Sequence, residues 1–242
     1  MLLLFDIDGT LLGRASAAHS DALRQALSTV HGLGSAELAA PVVTPAGRTD
    51  GEIARLILLH AGVPAQRIDE RAGDVREECA AAYTRLCPAD LSFAVLPGIA
   101  ELLEWLSGPA RRQDRAELIL GLLTGNYEPV ARLKLARAGI GKHFRTGQGA
   151  FGSDSEDRTA LPAIARRRAG SRGAPYPRER TIVIGDTPRD IACARADGVK
   201  CLALATGPYD AAELTDADEV HSDAGELRTS LASAVAIRTV SS

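Results

Sequence analysis

The chain has 242 residues, of which 45% are hydrophobic and 24% charged, an ordinary globular mix that excludes disordered and fibrous classes and suits one large domain or a core with an insertion. A net charge of -3 offers no positive field to a polyanion, so nucleic acid is not an expected partner. No apolar run approaches the roughly 20 residues that span a bilayer, no basic n-region or cleavage site accompanies the apolar start, and Cys79, Cys87, Cys193 and Cys201 form no CxxC pair. A cytoplasmic protein with reduced cysteines and no membrane partner is expected.

Taken in chain order, residues 2–5 are continuously apolar and end at Asp6. From about 14 to 91 no strand pattern occurs, but helical periodicity appears at 17–30, 52–61 and 72–86. Leu96-Pro97-Gly98 is a turn signal leading into a helix at 99–106. Apolar runs then recur at 118–123, 181–184 and 199–205, separated by helical patterns at 130–138, 161–169 and 191–196. A Gly- and Pro-rich loop is expected at 170–177, and a last amphipathic helix with a frayed end from Ser222 onward. Continuous apolarity marks strands buried on both faces, as in a parallel sheet. Strand alternating with helix gives a doubly wound α/β core. The predicted organisation is therefore a core of 1–13 and 92–242, with 14–91 inserted as a small helical cap.

Loops at the carboxyl ends of parallel strands form the binding crevice of such a sheet. Asp6-Ile7-Asp8-Gly9-Thr10, Thr124-Gly125-Asn126 and Gly185-Asp186-Thr187-Pro188-Arg189-Asp190 all follow apolar strands. Asp6 and Asp8, joined by Asp186 and Asp190, would repel one another unless a cation or a shared proton relieved them. An oxygen-rich set of this kind suits Mg²⁺, held by few carboxylates together with a substrate phosphate.

These motifs, in this order and with a helical insertion between the first two, resemble the haloacid dehalogenase superfamily, in a layout similar to capped phosphatases of the phosphoglycolate phosphatase kind. The resemblance implies a Rossmann-like core and Mg²⁺-dependent hydrolysis of a small-molecule phosphate ester. It makes Asp6 the nucleophile of an aspartyl-phosphate and Asp8 the general acid and base. Gly9 and Thr10 would shape the turn beside the phosphate, and Thr124, Gly125 and Asn126 would hold the phosphoryl oxygens. Asp6, the Asp8 carbonyl, Asp186 and Asp190 would form the metal site. The family usually has a lysine in its third motif, and here Arg158 stands in that segment, preferred over Lys134. Arg48 and Thr49, in Gly47-Arg48-Thr49-Asp50, are the best candidates for a cap loop reaching the substrate, with Thr49 as a plain helix cap the alternative.

An acid at position 8 fits an alkoxide leaving group and disfavours a dehalogenase. A phosphomutase or phosphotransferase on the same site, and a non-catalytic binding protein on this fold, are the rival readings. Arg166-Arg167-Arg168 reads as a solvated helix face, and the histidines as surface or packing residues.

Overall fold

The computed structural model describes residues 1–13, 15–38, 44–108, 118–171 and 173–239, with side chains through 233. Arg14, Arg172 and the expected frayed end at 240–242 lie outside the described residues.

The strands are β1 (Leu2–Phe5), β2 (Ile119–Thr124), β3 (Ala150–Phe151), β4 (Thr181–Gly185), β5 (Lys200–Leu204) and β6 (Glu219–His221), all parallel in the order β3-β2-β1-β4-β5-β6. The uninterrupted apolarity of β1 has a direct cause in this placement. Leu3 and Phe5 join one buried cluster, and Leu2 and Leu4 join another on the opposite face. Each such side chain fully removed from water contributes about 1.5–3 kcal/mol.

Helices α1 (Ala17–His31), α2 (Asp50–His60) and α3 (Ala65–Leu86) lie between β1 and β2, with no strand among the described residues there, and α4 (Ile99–Ser107) follows. Helices α5 (Glu128–Arg137), α6 (Leu161–Ala169), α7 (Pro188–Asp197) and α8 (Ala224–Thr239) complete the layers. The first cluster packs α4, α5 and α8 against the sheet and continues into α1–α3 through Leu23, Leu27, Ile57, Leu58 and Tyr83. The second packs α6 and α7 through Leu161, Ala165, Ile191 and Ala194.

Strands β3 and β6 were not expected, because such short edge segments carry too few residues to show a pattern. The basic run on α6 is also not wholly solvated. Arg166 is buried and makes a bidentate pair with Asp197, with Nε to Oδ2 at 2.5 Å and Nη2 to Oδ1 at 2.9 Å, which ties α6 to the end of α7. Among the described residues no helix is long and apolar enough to cross a membrane, and the four cysteines are free and buried.

Candidate active site

In the sheet register Phe5 stands level with Leu122 on one side and Ile184 on the other. Asp6 is thus one residue past the level that Thr124 and Asp186 pass by two, and the three loops meet at one edge. The Asp6 N–H donates to the Ile184 carbonyl at 2.9 Å, so the nucleophile candidate is fixed by the last rung of the ladder. The chain then turns tightly, with the N–H groups of Leu11 and Leu12 both donating to the Ile7 carbonyl at 2.9 Å. Gly9 takes φ +93, a left-handed conformation natural to glycine, and a β-carbon there would lie 2.0 Å from Asp186 Oδ2.

Asp186 is fully buried; its Oδ1 accepts from the Thr10 hydroxyl at 2.8 Å, while Oδ2 has no hydrogen-bond partner among the described residues. Thr10 therefore spends its hydroxyl on Asp186. Asp190 closes a capping box at the start of α7: its Oδ2 accepts from the Thr187 N–H at 3.0 Å and hydroxyl at 2.7 Å, and its N–H is within 3.3 Å of the Thr187 hydroxyl. Its Oδ1 accepts from Arg158, which is buried and whose Nη2 is also 3.3 Å from Asp6 Oδ1. The structure thus brings Arg158 to Asp6, between that acid and α7.

Burial pushes the Asp6 carboxyl up to about 6; Arg158 opposes this, while Asp190 and Asp8 add to it. Burial pushes Asp186 higher, to about 8, with Asp190 and Asp6 adding like charge. Burial works against the charge of Arg158, but Asp190 and Asp6 outweigh it and hold the guanidinium well above its ordinary value. Asp6, Asp186 and Asp190 each offer an oxygen within 4.8 Å of the others. Hard oxygen donors, an unpartnered buried Asp186 Oδ2 and acids that resist ionisation fit a hard divalent cation.

Asp8 faces different company. Its carboxylate accepts from Lys134 Nζ at 2.8 and 2.6 Å and from Asn126 Nδ2 at 3.0 Å. Burial would raise its pKa, but Lys134 above all, with His19 and Asn126, holds the carboxyl below its usual range. Thr124 ends β2, fully buried, with its Oγ1 3.3 Å from the Asn126 nitrogen, and Asn126 Oδ1 has no hydrogen-bond partner among the described residues.

The loop before α2 lies directly on this edge. The Asp50 N–H donates to the Gly125 carbonyl at 2.8 Å, and a β-carbon on Gly125 would lie 1.9 Å from the Arg48 carbonyl oxygen. Thr49 caps α2, accepting from the Glu52 N–H at 3.1 Å, and donates its hydroxyl to the Glu156 carbonyl at 2.7 Å. Arg48 pairs with Glu52 and donates through Nε to the Thr44 carbonyl at 3.2 Å, so its guanidinium is engaged locally.

Lys134, second to Arg158 on the sequence, His19, expected to be a surface or packing residue, and Asp50, expected only as part of the cap loop, meet at this site. Lys134 is fully buried and donates to His19 Nδ1 at 3.2 Å, and His19 Nε2 lies 3.0 Å from Asp50 Oδ2. A signal existed for Lys134: it follows Val130 by four residues and Ala131 by three, on the inward face of α5.

An open parallel sheet that gathers Asp6, Asp8, Thr124 and Asp186 at its carboxyl edge defines a Rossmann-like enzyme core with an acidic site. The chain belongs to the haloacid dehalogenase-like hydrolase family, which matches residues 3–195. It is similar to the tyrosine-protein kinase PtkA of Mycobacterium tuberculosis, 29% identical over 224 residues, 89% of this chain and 65% of that one. This chain therefore spans just under two thirds of that relative's length. It is also 26% identical to a phosphoglycolate phosphatase of Mesorhizobium japonicum over 213 residues, 86% of this chain and 84% of the relative. Among solved structures, a hydrolase from Pseudomonas syringae shares the fold with a TM-score of 0.62 and 23% identity, over 96% of this chain and 99% of its own. CbbY from Rhodobacter sphaeroides, in complex with phosphate, has a TM-score of 0.60 and 20% identity over 93% and 95%.

Proposed function

We propose that this protein is a phosphatase that hydrolyses a small-molecule phosphate monoester, with Asp6 as nucleophile and Asp8 as general acid and base. The observation that carries this reading is the separation of the two acids' environments: Asp6 sits 3.3 Å from Arg158, whereas Asp8 is held by Lys134 and Asn126. Asp6 Oδ attacks phosphorus, the ester P–O bond breaks, and the leaving alkoxide takes a proton from Asp8. Asp8, now ionised, takes a proton from the water that attacks the acyl phosphate and keeps it for the next leaving group; the Asp6–phosphate bond breaks and the Asp6 carboxylate is regenerated. Thr124 and the N–H groups of Gly125 and Asn126 support the phosphoryl oxygens.

Asp6, Asp186 and the Asp8 carbonyl would hold Mg²⁺, with Asp190 as the third acid of the cluster. When bound, Mg²⁺ neutralises the buried acids and the charge of the phosphate. Residues 14–91 act as the cap over a core of 1–13 and 92–242, and the contact between Asp50 and Gly125 supports their role in excluding water. A phosphatase named for phosphoglycolate among the relatives supports a small acidic ester, and the free cysteines support a cytoplasmic setting.

Transfer to an acceptor hydroxyl instead of water is the second reading, favoured by the relative named a tyrosine-protein kinase. Both readings are tested by following inorganic phosphate released from a panel of small phosphate esters, with Mg²⁺ or EDTA, in the parent and in Asp6→Asn. Hydrolysis that requires Mg²⁺ and vanishes in Asp6→Asn supports the phosphatase. Consumption of ester without phosphate release, restored to turnover by an added alcohol or tyrosine, supports transfer.

A further inference from the structure

Lys134 differs from Arg158 in every contact it makes. Its ammonium has three protons, and they meet Asp8 Oδ1 at 2.8 Å, Asp8 Oδ2 at 2.6 Å and His19 Nδ1 at 3.2 Å. For Nδ1 to accept, the imidazole proton must be on Nε2, which then donates to Asp50 Oδ2 at 3.0 Å. Asp50 Oδ2 also accepts from the Tyr127 N–H at 2.7 Å. The Tyr83 ring stands edge-on to His19, with centroids 5.7 Å apart, which fixes the plane of the imidazole. Every proton in the chain therefore has one assigned acceptor.

The chain also crosses between two parts of the molecule. His19 belongs to α1 and Asp50 opens α2, while Lys134 and Asp8 belong to α5 and the loop after β1. A buried ammonium costs several kcal/mol of lost hydration, and an apolar side chain would fill the same space more cheaply. What an apolar residue would not supply is a two-point hold on the Asp8 carboxylate.

We propose that Lys134 is a positioning residue for Asp8, itself held in place by His19 and Asp50, so that the proton-transfer carboxylate is aligned only while α1 and α2 are seated on the core. This rests on the reading of Asp8 as general acid and base. Arg158 and Lys134 then divide the work: Arg158 serves the nucleophile, and Lys134 serves proton transfer to the leaving group.

The test compares an alkyl phosphate, whose leaving group needs a proton, with nitrophenyl phosphate, whose leaving group does not. The readout is kcat/KM, which reports the first transfer alone. Lys134→Met is expected to lower kcat/KM for the alkyl ester by about 10²-fold or more, the usual worth of general acid catalysis, and for the aryl ester by less than about tenfold. Asp8→Asn should show the same split. His19→Leu, which leaves the ammonium in place without its anchor, should show a smaller split in the same direction, and Lys134→Arg a partial rescue. Equal losses on both esters in folded Lys134→Met and His19→Leu, with the split still present in Asp8→Asn, would overturn the inference and leave the phosphatase reading standing. Absence of the split in Asp8→Asn would overturn the acid–base assignment and this inference with it.

Discussion

Gly207 is packed against the Asp186 carboxylate so closely that a β-carbon on residue 207 would lie 1.7 Å from Oδ2. A β-carbon on Gly9 would lie 2.0 Å from the same atom. The acid is therefore seated against backbone, and Gly207→Ala must displace it. Overpacking of this kind costs about 1–3 kcal/mol of stability. Magnesium affinity should fall by at least about tenfold, in line with the loss of a ligand's support. Calorimetric titration with Mg²⁺ and a melting curve would read both; unchanged affinity would show that Asp186 is not a ligand.

The raised carboxyl groups give a pH dependence with a definite sign. Asp6 moves from 3.8 to about 6 and Asp186 from 3.8 to about 8 on folding, both chiefly through burial. The folded chain then holds more protons than the unfolded chain across that interval, so stability fully present at low pH is lost as pH rises through those values. In EDTA the Tm should fall between about pH 5 and pH 9, and saturating Mg²⁺ should raise Tm more at the alkaline end, where the acids are ionised. A Tm increment from Mg²⁺ that does not grow with pH contradicts the assignment of these acids to the metal.

Arg158 touches both Asp6 and Asp190. Replacing it with methionine leaves two buried acids without their cation, which costs about 3–5 kcal/mol, and phosphatase turnover should disappear. Arg158→Lys restores a charge of the family's usual kind but not the planar fork, so it should recover turnover in part while remaining less stable than the parent. Steady-state assays with chemical denaturation separate these effects. Full activity in folded Arg158→Met would remove the residue from the mechanism.

The seam between the α2 loop and the loop after β2 is close enough to be broken by one methyl group. Gly125→Ala places a β-carbon 1.9 Å from the Arg48 carbonyl oxygen and should lift the loop, exposing 44–50 to limited proteolysis and lowering kcat by about 10-fold or more through lost alignment. Unchanged cleavage rates and unchanged kcat would show that the contact is incidental.

How far the sequence carries these conclusions depends on the kind of contact. Strands β1, β2, β4 and β5 were legible because burial on both faces makes the run almost continuously apolar, with polar residues only at its ends, as in Leu2–Phe5, where there is none. Strand β3, two residues long, carries no such run. Asp6, Asp8 and Asp186 were legible because each follows a strand end, where the topology alone brings loops together. Lys134 and His19 stand 115 positions apart, and nothing local in either segment announces their meeting. Arg166 looked like part of a solvated run because its partner, Asp197, lies 31 positions further along. Local pattern reports burial and strand ends; pairing of charged groups across the fold requires the fold itself.

The covalent role of Asp6 can be read by chemical capture of the acyl phosphate. Folded enzyme turning over a phosphate ester with Mg²⁺ is quenched and treated with borohydride, which reduces an aspartyl-phosphate to homoserine, and the N-terminal peptide is sequenced by mass spectrometry. Homoserine at position 6, absent without ester and absent in Asp6→Asn, is the predicted result. Homoserine at another aspartate, or active turnover with position 6 untouched in enzyme quenched where the phosphoenzyme accumulates, would contradict it.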